Sequence, residues 1–262
     1  MTESKPTKNA VAKAFQLLTC LVERGHPMGI QSLASGTGLN ASTVHRLLQL
    51  MVEERLVSYD PAMRLYSVGG ECIRLATATL SGRSLIGRVR PVVHDLANRL
   101  RETCAFYLYE PLTKTMIVSV VEHGPQPLGY GYDVGQRGNI HAGASGRAIL
   151  AFLPREDIDS VLQGPLERLT ETTFVDPMRL RAVLEDVVRL GYAVSHGERG
   201  PHGCGVAVPV VAPGGGVVGS LGVSVPKFRF HESSIPETAR VLQDGARELV
   251  RVADFEDHAD RE

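Results

Sequence analysis

The sequence predicts an α+β protein of two domains, an N-terminal winged helix-turn-helix joined by a linker helix to a larger C-terminal domain of sheet and helices. Three observations carry that expectation. Three apolar stripes at helical spacing are followed, within the first seventy residues, by two strands around a turn. The remainder groups its strands into two runs with helices between and around them, unlike a strict βαβ series. A chain of 262 residues also exceeds what a single hydrophobic core usually spans.

In the first domain, Ala10 to Glu23 places Val11, Ala14, Phe15, Leu17, Leu18, Leu21 and Val22 on a broad apolar stripe that Gly25 and Pro27 end. Ile30 to Thr37 gives a short second helix with Leu33 and Ala34 on one face and Gly38 as the breaker. Asn40 is the natural cap of a third, in which Val44, Leu47, Leu48, Met51 and Val52 recur on one side. Leu56 to Tyr59 and Arg64 to Val68 read as strands flanking Asp60-Pro61, because proline fixes φ at the second position of a turn. The small and polar stretch that follows, with Leu75, Ala76, Ala78 and Leu80, is expected to be the linker helix. The expected boundaries are therefore 1–70, 71–84 and 85–262.

The second domain is expected to open on an amphipathic helix from Leu85 to Arg101. Ala105 to Glu110 and Met116 to Glu122 follow as strands, and Leu128 to Asp133, where Tyr130 and Tyr132 alternate with glycines, reads as a third. Asp176-Pro177 caps and starts a helix that Gly191 ends. Strands are then expected at Tyr192 to Ser195, Val206 to Val211 and Val217 to Val225, the last two joined through Pro213 to Gly216, before a closing helix from about Ile235 to Phe255.

The composition, 43% hydrophobic and 22% charged, is that of a packed globular protein. There is no apolar run of membrane-spanning length and no secretory leader pattern, so a cytoplasmic location and no membrane partner are expected. Cys20, Cys72, Cys104 and Cys204 are scattered without a CxxC pair, which predicts free thiols, no structural zinc and no metal cofactor. The net charge of −1 excludes a protein that coats nucleic acid, so any DNA contact must be local. Residues 1–66 carry seven basic against five acidic side chains, which permits such a contact.

That contact has an obvious place. Ser42, His45, Arg46 and Gln49, with Thr43 beside them, lie opposite the apolar stripe of the third helix. Arginine pairs bidentately with guanine and glutamine with adenine in a major groove, while serine and threonine reach bases or phosphates. The amides of Ala41 to Thr43 at the helix start favour a phosphate, and Arg64 adds a cation near the tip of the wing.

The words Gly38-Leu39-Asn40-Ala41-Ser42-Thr43-Val44-His45-Arg46-Leu47-Leu48, then Leu56-Val57 and Tyr66-Ser67-Val68-Gly69, resemble the IclR family of bacterial transcription regulators. The resemblance continues through His141 to Ala148, Leu190 to Ala193, Val206 to Pro209 and Leu221 to Pro226, nearly the whole chain. It implies that Ser42, Thr43, His45 and Arg46 start a recognition helix on double-stranded operator DNA. It implies further that the second domain is GAF-like and holds a small-molecule effector, with repression of a catabolic or metabolic operon as the more frequent outcome. The implied pocket wall is Ala144, Ser145 and Gly146, Ser195, Gly203 to Gly205 including Cys204, and Gly222 and Ser224. Many relatives carry an acidic pair after the Gly-Tyr segment and a cysteine before the proline, where this chain has Ser195-His196 and Gly205. With fewer charged groups, and with Tyr130 and Tyr132 nearby, an organic acid or an aromatic metabolite is the expected effector. A homodimer or dimer of dimers is expected to present paired recognition helices to a pseudo-palindrome.

Two other readings compete. His196, Glu198, His202 and Cys204 fall within nine residues and suggest a thiol-dependent hydrolase or a metal site, although a glycine-rich loop does not define such geometry. A stand-alone sensor acting through protein contacts would leave the polar face of the third helix without a purpose.

Overall fold

The computed structural model describes residues 9–80, 84–129 and 131–253. The chain divides into two compact units, 1–81 and 82–262.

The first unit packs α1 (Ala10–Arg24), α2 (Ile30–Thr37) and α3 (Ala41–Glu53) against a hairpin of β1 (Val57–Asp60) and β2 (Leu65–Val68). Each helix starts and stops for a local reason. The Asn9 carboxamide accepts from the Ala12 amide at 2.9 Å, that of Asn40 accepts from Thr43 at 2.8 Å, and Gly25 and Gly38 end α1 and α2 with φ of 67° and 69°. The Asp60 carboxylate accepts from the amides of Ala62 and Met63, which closes the turn of the wing. Met28 and Tyr66 exchange two backbone hydrogen bonds of 2.8 Å, tying the entry to α2 onto the hairpin. Leu17, Leu21, Leu33, Val44, Leu48 and Val57 form the centre of the core. The stripe on α1 is narrower than its sequence suggests, since Val11, Phe15 and Val22 stay 63%, 65% and 57% exposed.

The linker helix belongs to this first unit. It begins earlier than expected, as α4 (Gly70–Thr79), and is pinned by hydrogen bonds from the Glu71 amide to Arg55 O and from the Cys72 thiol to Leu56 O. Gly69 permits the approach, because a Cβ there would lie 2.7 Å from the Val57 nitrogen. Ser84, expected as the end of the linker, instead caps the next helix through its hydroxyl.

The second unit is built on an antiparallel six-stranded sheet, in the order β5-β4-β3-β8-β7-β6. Its strands are β3 (Thr103–Glu110), β4 (Thr115–Glu122), β5 (Arg137–Asn139), β6 (Ala193–His196), β7 (Gly203–Val211) and β8 (Val217–Pro226). One face is covered by α5 (Leu85–Leu100) and α9 (Ile235–Ala253), which bury Phe106, Val206, Val208 and Leu221. The other is covered by α6 (Gly143–Leu150), with α7 (Arg155–Gln163) and α8 (Pro177–Leu190) behind it, and buries Ala105, Tyr107 and Ala207. Alternate residues of each strand therefore serve opposite layers.

One expectation about this unit changes. The described part of Leu128 to Asp133 is not a strand. The Leu128 carbonyl is taken by the Arg229 guanidinium, and the Tyr132 hydroxyl bonds Ser224 Oγ at 2.8 Å, so these two residues make side-chain contacts in place of a strand ladder. The edge position goes to β5, whose three residues carry no strand signature. Helix α6 begins at Gly143, and α7, with Leu162 as its one buried residue, has no apolar stripe by which to find it. Asp254 and Phe255, expected in the closing helix, and Tyr130 lie outside the described residues.

Candidate functional site

On α3, Val44, Leu47, Leu48 and Met51 are buried, while Ser42, His45, Arg46 and Gln49 are exposed and Thr43 is half-buried. The predicted polar face is a solvent-facing surface of a well-packed helix. Asn40 organises its start, since its carboxamide oxygen also accepts from the Ser42 hydroxyl at 2.9 Å. The Thr43 amide is consumed by that cap, so it is not free for a phosphate as expected. Arg64 is exposed at the wing, held in the left-handed region at φ 55°, next to Met63 at 66% exposure. No described residue within ion-pair distance neutralises Arg46 or Arg64, so both guanidinium groups face water.

The second candidate site is a cavity of about 30 Å³ between α6 and the face of the sheet, lined by Tyr107 and Tyr132, Gly143 to Ser145, Ser195, Arg199, Gly200, Gly203 to Gly205, Val223 and Ser224. Helix α6 lies on β7 and β8, so that a Cβ at Gly222 would be 2.8 Å from Ser145 Oγ. The Tyr107 ring is fully buried and meets the Tyr132 ring edge-on at 6.0 Å. Burial, reinforced by Tyr132, pushes the Tyr107 phenol well above its ordinary range, so it stays a neutral donor.

Of the residues expected at the cavity, Ala144, Ser145, Ser195, Gly203, Gly205 and Ser224 line it. Gly146 and Gly222 do not: Gly146 packs against the Ile140 carbonyl, where a Cβ would come within 2.8 Å, and Gly222 lies beneath Ser145. Tyr130 lies outside the described residues. Cys204 borders the cavity with its backbone, but its thiol follows the parity of Val206 and Val208 into the other layer. There its Sγ is 4.0 Å from His196 Nδ1, and the His196 ring stacks edge-on with Phe230. Burial raises the Cys204 thiol, the opposite of what a nucleophile needs. Glu198 is committed to Arg147, His202 is exposed, and no cluster of three potential metal ligands occurs among the described residues.

Sequence reasoning passed over Tyr107, Arg147 and Arg199. Arg147 and Glu198 form an ion pair with side chains 2% and 3% exposed. The same carboxylate accepts from the Gly143 amide at 3.1 Å at the start of α6, and the Thr173 hydroxyl donates to the Glu198 carbonyl at 2.7 Å. The ring of Phe174 stacks on Arg147 at 5.0 Å. The loop that supplies Arg199 is thereby bolted to the helix that supplies Ser145. Arg147 is part of a recognisable motif, but nothing in a glycine-rich loop marks its one arginine as facing a cavity.

Comparison with known proteins agrees with this architecture. Residues 10–61 match the IclR helix-turn-helix domain, and residues 77–251 match the domain described as Bacterial transcriptional regulator IclR C-terminal. The HTH-type transcriptional regulator Rv1719 of Mycobacterium tuberculosis is 31% identical over 230 residues, 84% of this chain and 83% of that protein. The acetate operon repressor of Salmonella typhimurium is 24% identical over 244 residues, 92% of this chain and 88% of the other. An IclR homolog from Microbacterium hydrocarbonoxydans, crystallised with 4-hydroxybenzoate, superposes with a TM-score of 0.79 at 22% identity, covering 94% of this chain and 99% of that one. These relatives and domains are regulators and not enzymes, and no helix among the described residues is long and apolar enough to cross a membrane. With an exposed polar face on α3, a hairpin beside it and a sheet domain behind α6, the chain belongs to the IclR family of DNA-binding transcription regulators.

Proposed function

We propose that the protein is a ligand-responsive repressor of a metabolic operon, acting in the cytoplasm on double-stranded operator DNA. The observation that carries the reading is the division of α3, with Ser42, His45, Arg46 and Gln49 exposed over a buried row of Val44, Leu47, Leu48 and Met51. Such a helix, supported from behind and polar in front, suits insertion into a major groove, with Arg64 of the wing on an adjacent phosphate. Repression is supported by the relative that controls the acetate operon.

Operator binding by a family of this kind calls for two such helices. The apolar residues left uncovered on α1 (Val11, Phe15, Val22), on α4 (Ile73, Leu75) and at Leu80 just after it support a homodimer, and a dimer of dimers extends the same symmetry. The cavity behind α6 supports a small-molecule effector, as does the relative that carries 4-hydroxybenzoate. The effector acts by binding the DNA-competent and incompetent arrangements with different affinity, a coupling of about 1–3 kcal/mol.

The test is fluorescence anisotropy with the DNA upstream of the protein's own gene. Arg46→Ala is expected to weaken binding by about 1–3 kcal/mol, roughly 5- to 150-fold, and to leave the folded stability unchanged. Equal affinity of the variant and the parent at moderate salt refutes direct readout by α3 and returns the stand-alone sensor to first place.

A further inference from the structure

The second unit contains a cation whose position is built but which has no carboxylate partner among the described residues. Arg199 leaves the loop between β6 and β7 and runs through a slot between two glycines. A Cβ at Gly143 would lie 2.6 Å from its Cδ and 2.8 Å from its Cγ, and a Cβ at Gly138 would lie 2.9 Å from Nη1 and closer still to Nη2. Both positions must therefore be bare for the side chain to pass. The backbone that holds it is fixed by the neighbouring Glu198 through Arg147, Gly143 and Thr173. Among the described residues the guanidinium at the end of this path meets the Met116 thioether, at 3.9 Å, and no carboxylate within ion-pair distance. A guanidinium has five donors, and a sulfur atom is a weak acceptor for one of them.

The location gives this unsatisfied cation a meaning. Arg199 and Tyr132 line both the inner cavity of about 30 Å³ and a wider outer cleft of about 420 Å³ bounded by Thr115, Gln136, Asn139 and Leu169. The inner cavity contains no acidic residue. In the outer cleft Arg137 is paired with Glu110, and the Glu167 carboxylate accepts from the Asn139 amide at 2.9 Å. Of the two residues that line both cavities, Arg199 is the charged one, while the Glu167 carboxylate, bonded to a neutral carboxamide, keeps its negative charge on the wall of the outer cleft. As it stands, the inner cavity has the room of about one water molecule, so it cannot enclose the ring of an aromatic metabolite, whereas the cleft outside it can.

We infer that Arg199 is the anion receptor of the effector, holding a carboxylate at the boundary of the two cavities while the body of the ligand occupies the outer cleft. This rests on the reading that the second unit takes a small-molecule effector and narrows it to an organic acid. A planar carboxylate accepts two parallel hydrogen bonds from a guanidinium, and the half-buried setting strengthens them relative to water.

The test uses the full chain and three acids as probes, benzoate, 4-hydroxybenzoate and succinate, each against its amide, with titration calorimetry on the parent, Arg199→Gln and Arg199→Lys. Because Arg199 is in no ion pair, thermal unfolding of both variants is expected to match the parent. At least one acid is expected to bind the parent 10-fold or more tightly than its amide. Arg199→Gln should reduce that preference to about 2-fold or less with the amide affinity unchanged, and Arg199→Lys should restore part of it. Acids and amides binding alike, or Arg199→Gln binding an acid as the parent does, overturns the assignment while leaving an effector cavity in place. Failure of every acid and amide to bind the parent refutes the effector reading itself, and the inference with it.

Discussion

The face of α3 and the cavity behind α6 are both polar surfaces on apolar supports, yet they are assembled in different ways. The polar residues Ser42, His45, Arg46 and Gln49 come from two turns of one helix, and water covers all of them. The cavity draws Tyr107 from β3, Ser145 from α6, Ser195 from β6, Arg199 from a loop and Ser224 from β8, residues more than a hundred positions apart. The first surface is a local consequence of helical periodicity, so a single substitution removes one contact and little else. The second exists only while several elements stay in register, so a substitution among its supports acts on the fold before it acts on the ligand.

The largest expected effect breaks the cavity from behind. Glu198→Gln leaves the Arg147 guanidinium buried without its counter-charge and weakens the hold on the start of α6, so it is expected to destabilise the second unit by about 3–5 kcal/mol. The double variant Arg147→Met with Glu198→Leu removes both charges and should recover most of that loss, because neither ion is then left desolvated. Denaturant titration of the three proteins decides it, and a double variant as unstable as the single one contradicts the account.

A smaller effect is expected on the helical side. Asn40→Ala removes the acceptor for the Thr43 amide and the Ser42 hydroxyl, which should cost about 1 kcal/mol of stability in the first unit and lower DNA affinity further through the disordered start of the recognition helix. The comparison predicts that ligand binding in the second unit is unaffected. An Asn40→Ala variant with altered affinity for an acid that binds the parent would show that the two surfaces are not independent.

The smallest effect is chemical. Burial raises the Cys104 and Cys204 thiols, Cys104 above any accessible pH, so at pH 8 each presents less thiolate than a free cysteine would. Titration of the native protein with a disulfide reagent is expected to modify these two far more slowly than Cys20, and to modify all of them at one rate in denaturant. Rapid native labelling of Cys204 would place its thiol at the cavity after all.

How much was legible from the residues follows from the same contrast. Asn40 as cap, Gly25, Gly38 and Gly191 as stops, Asp176-Pro177 as a start and the alternation of buried with exposed residues on α3 are settled by groups a few positions apart, and all of them stand in the structure. The motif from His141 to Ala148 located the helix over the cavity, but it did not separate the residues that line from those that pack. Gly203, Cys204 and Gly205 were expected at the wall together, yet consecutive residues of a strand face opposite layers, and only the register of β7 between β6 and β8 shows which parity the cavity receives.

The amino-acid sequence alone determined the caps and stops of α1, α3 and α8 and the polar face of α3, because capping, periodicity and chain-local turns are short-range. Tertiary structure decided that Val11, Phe15 and Val22 stay uncovered, that Leu128 and Tyr132 bond Arg229 and Ser224 in place of a strand partner, and that Arg199 ends beside Tyr132 with no counter-ion among the described residues. The reason is common to all three. Whether an apolar or charged side chain is covered depends on which distant element is packed against it, and neither hydrophobic burial nor charge pairing carries any record of that partner in the residues nearby.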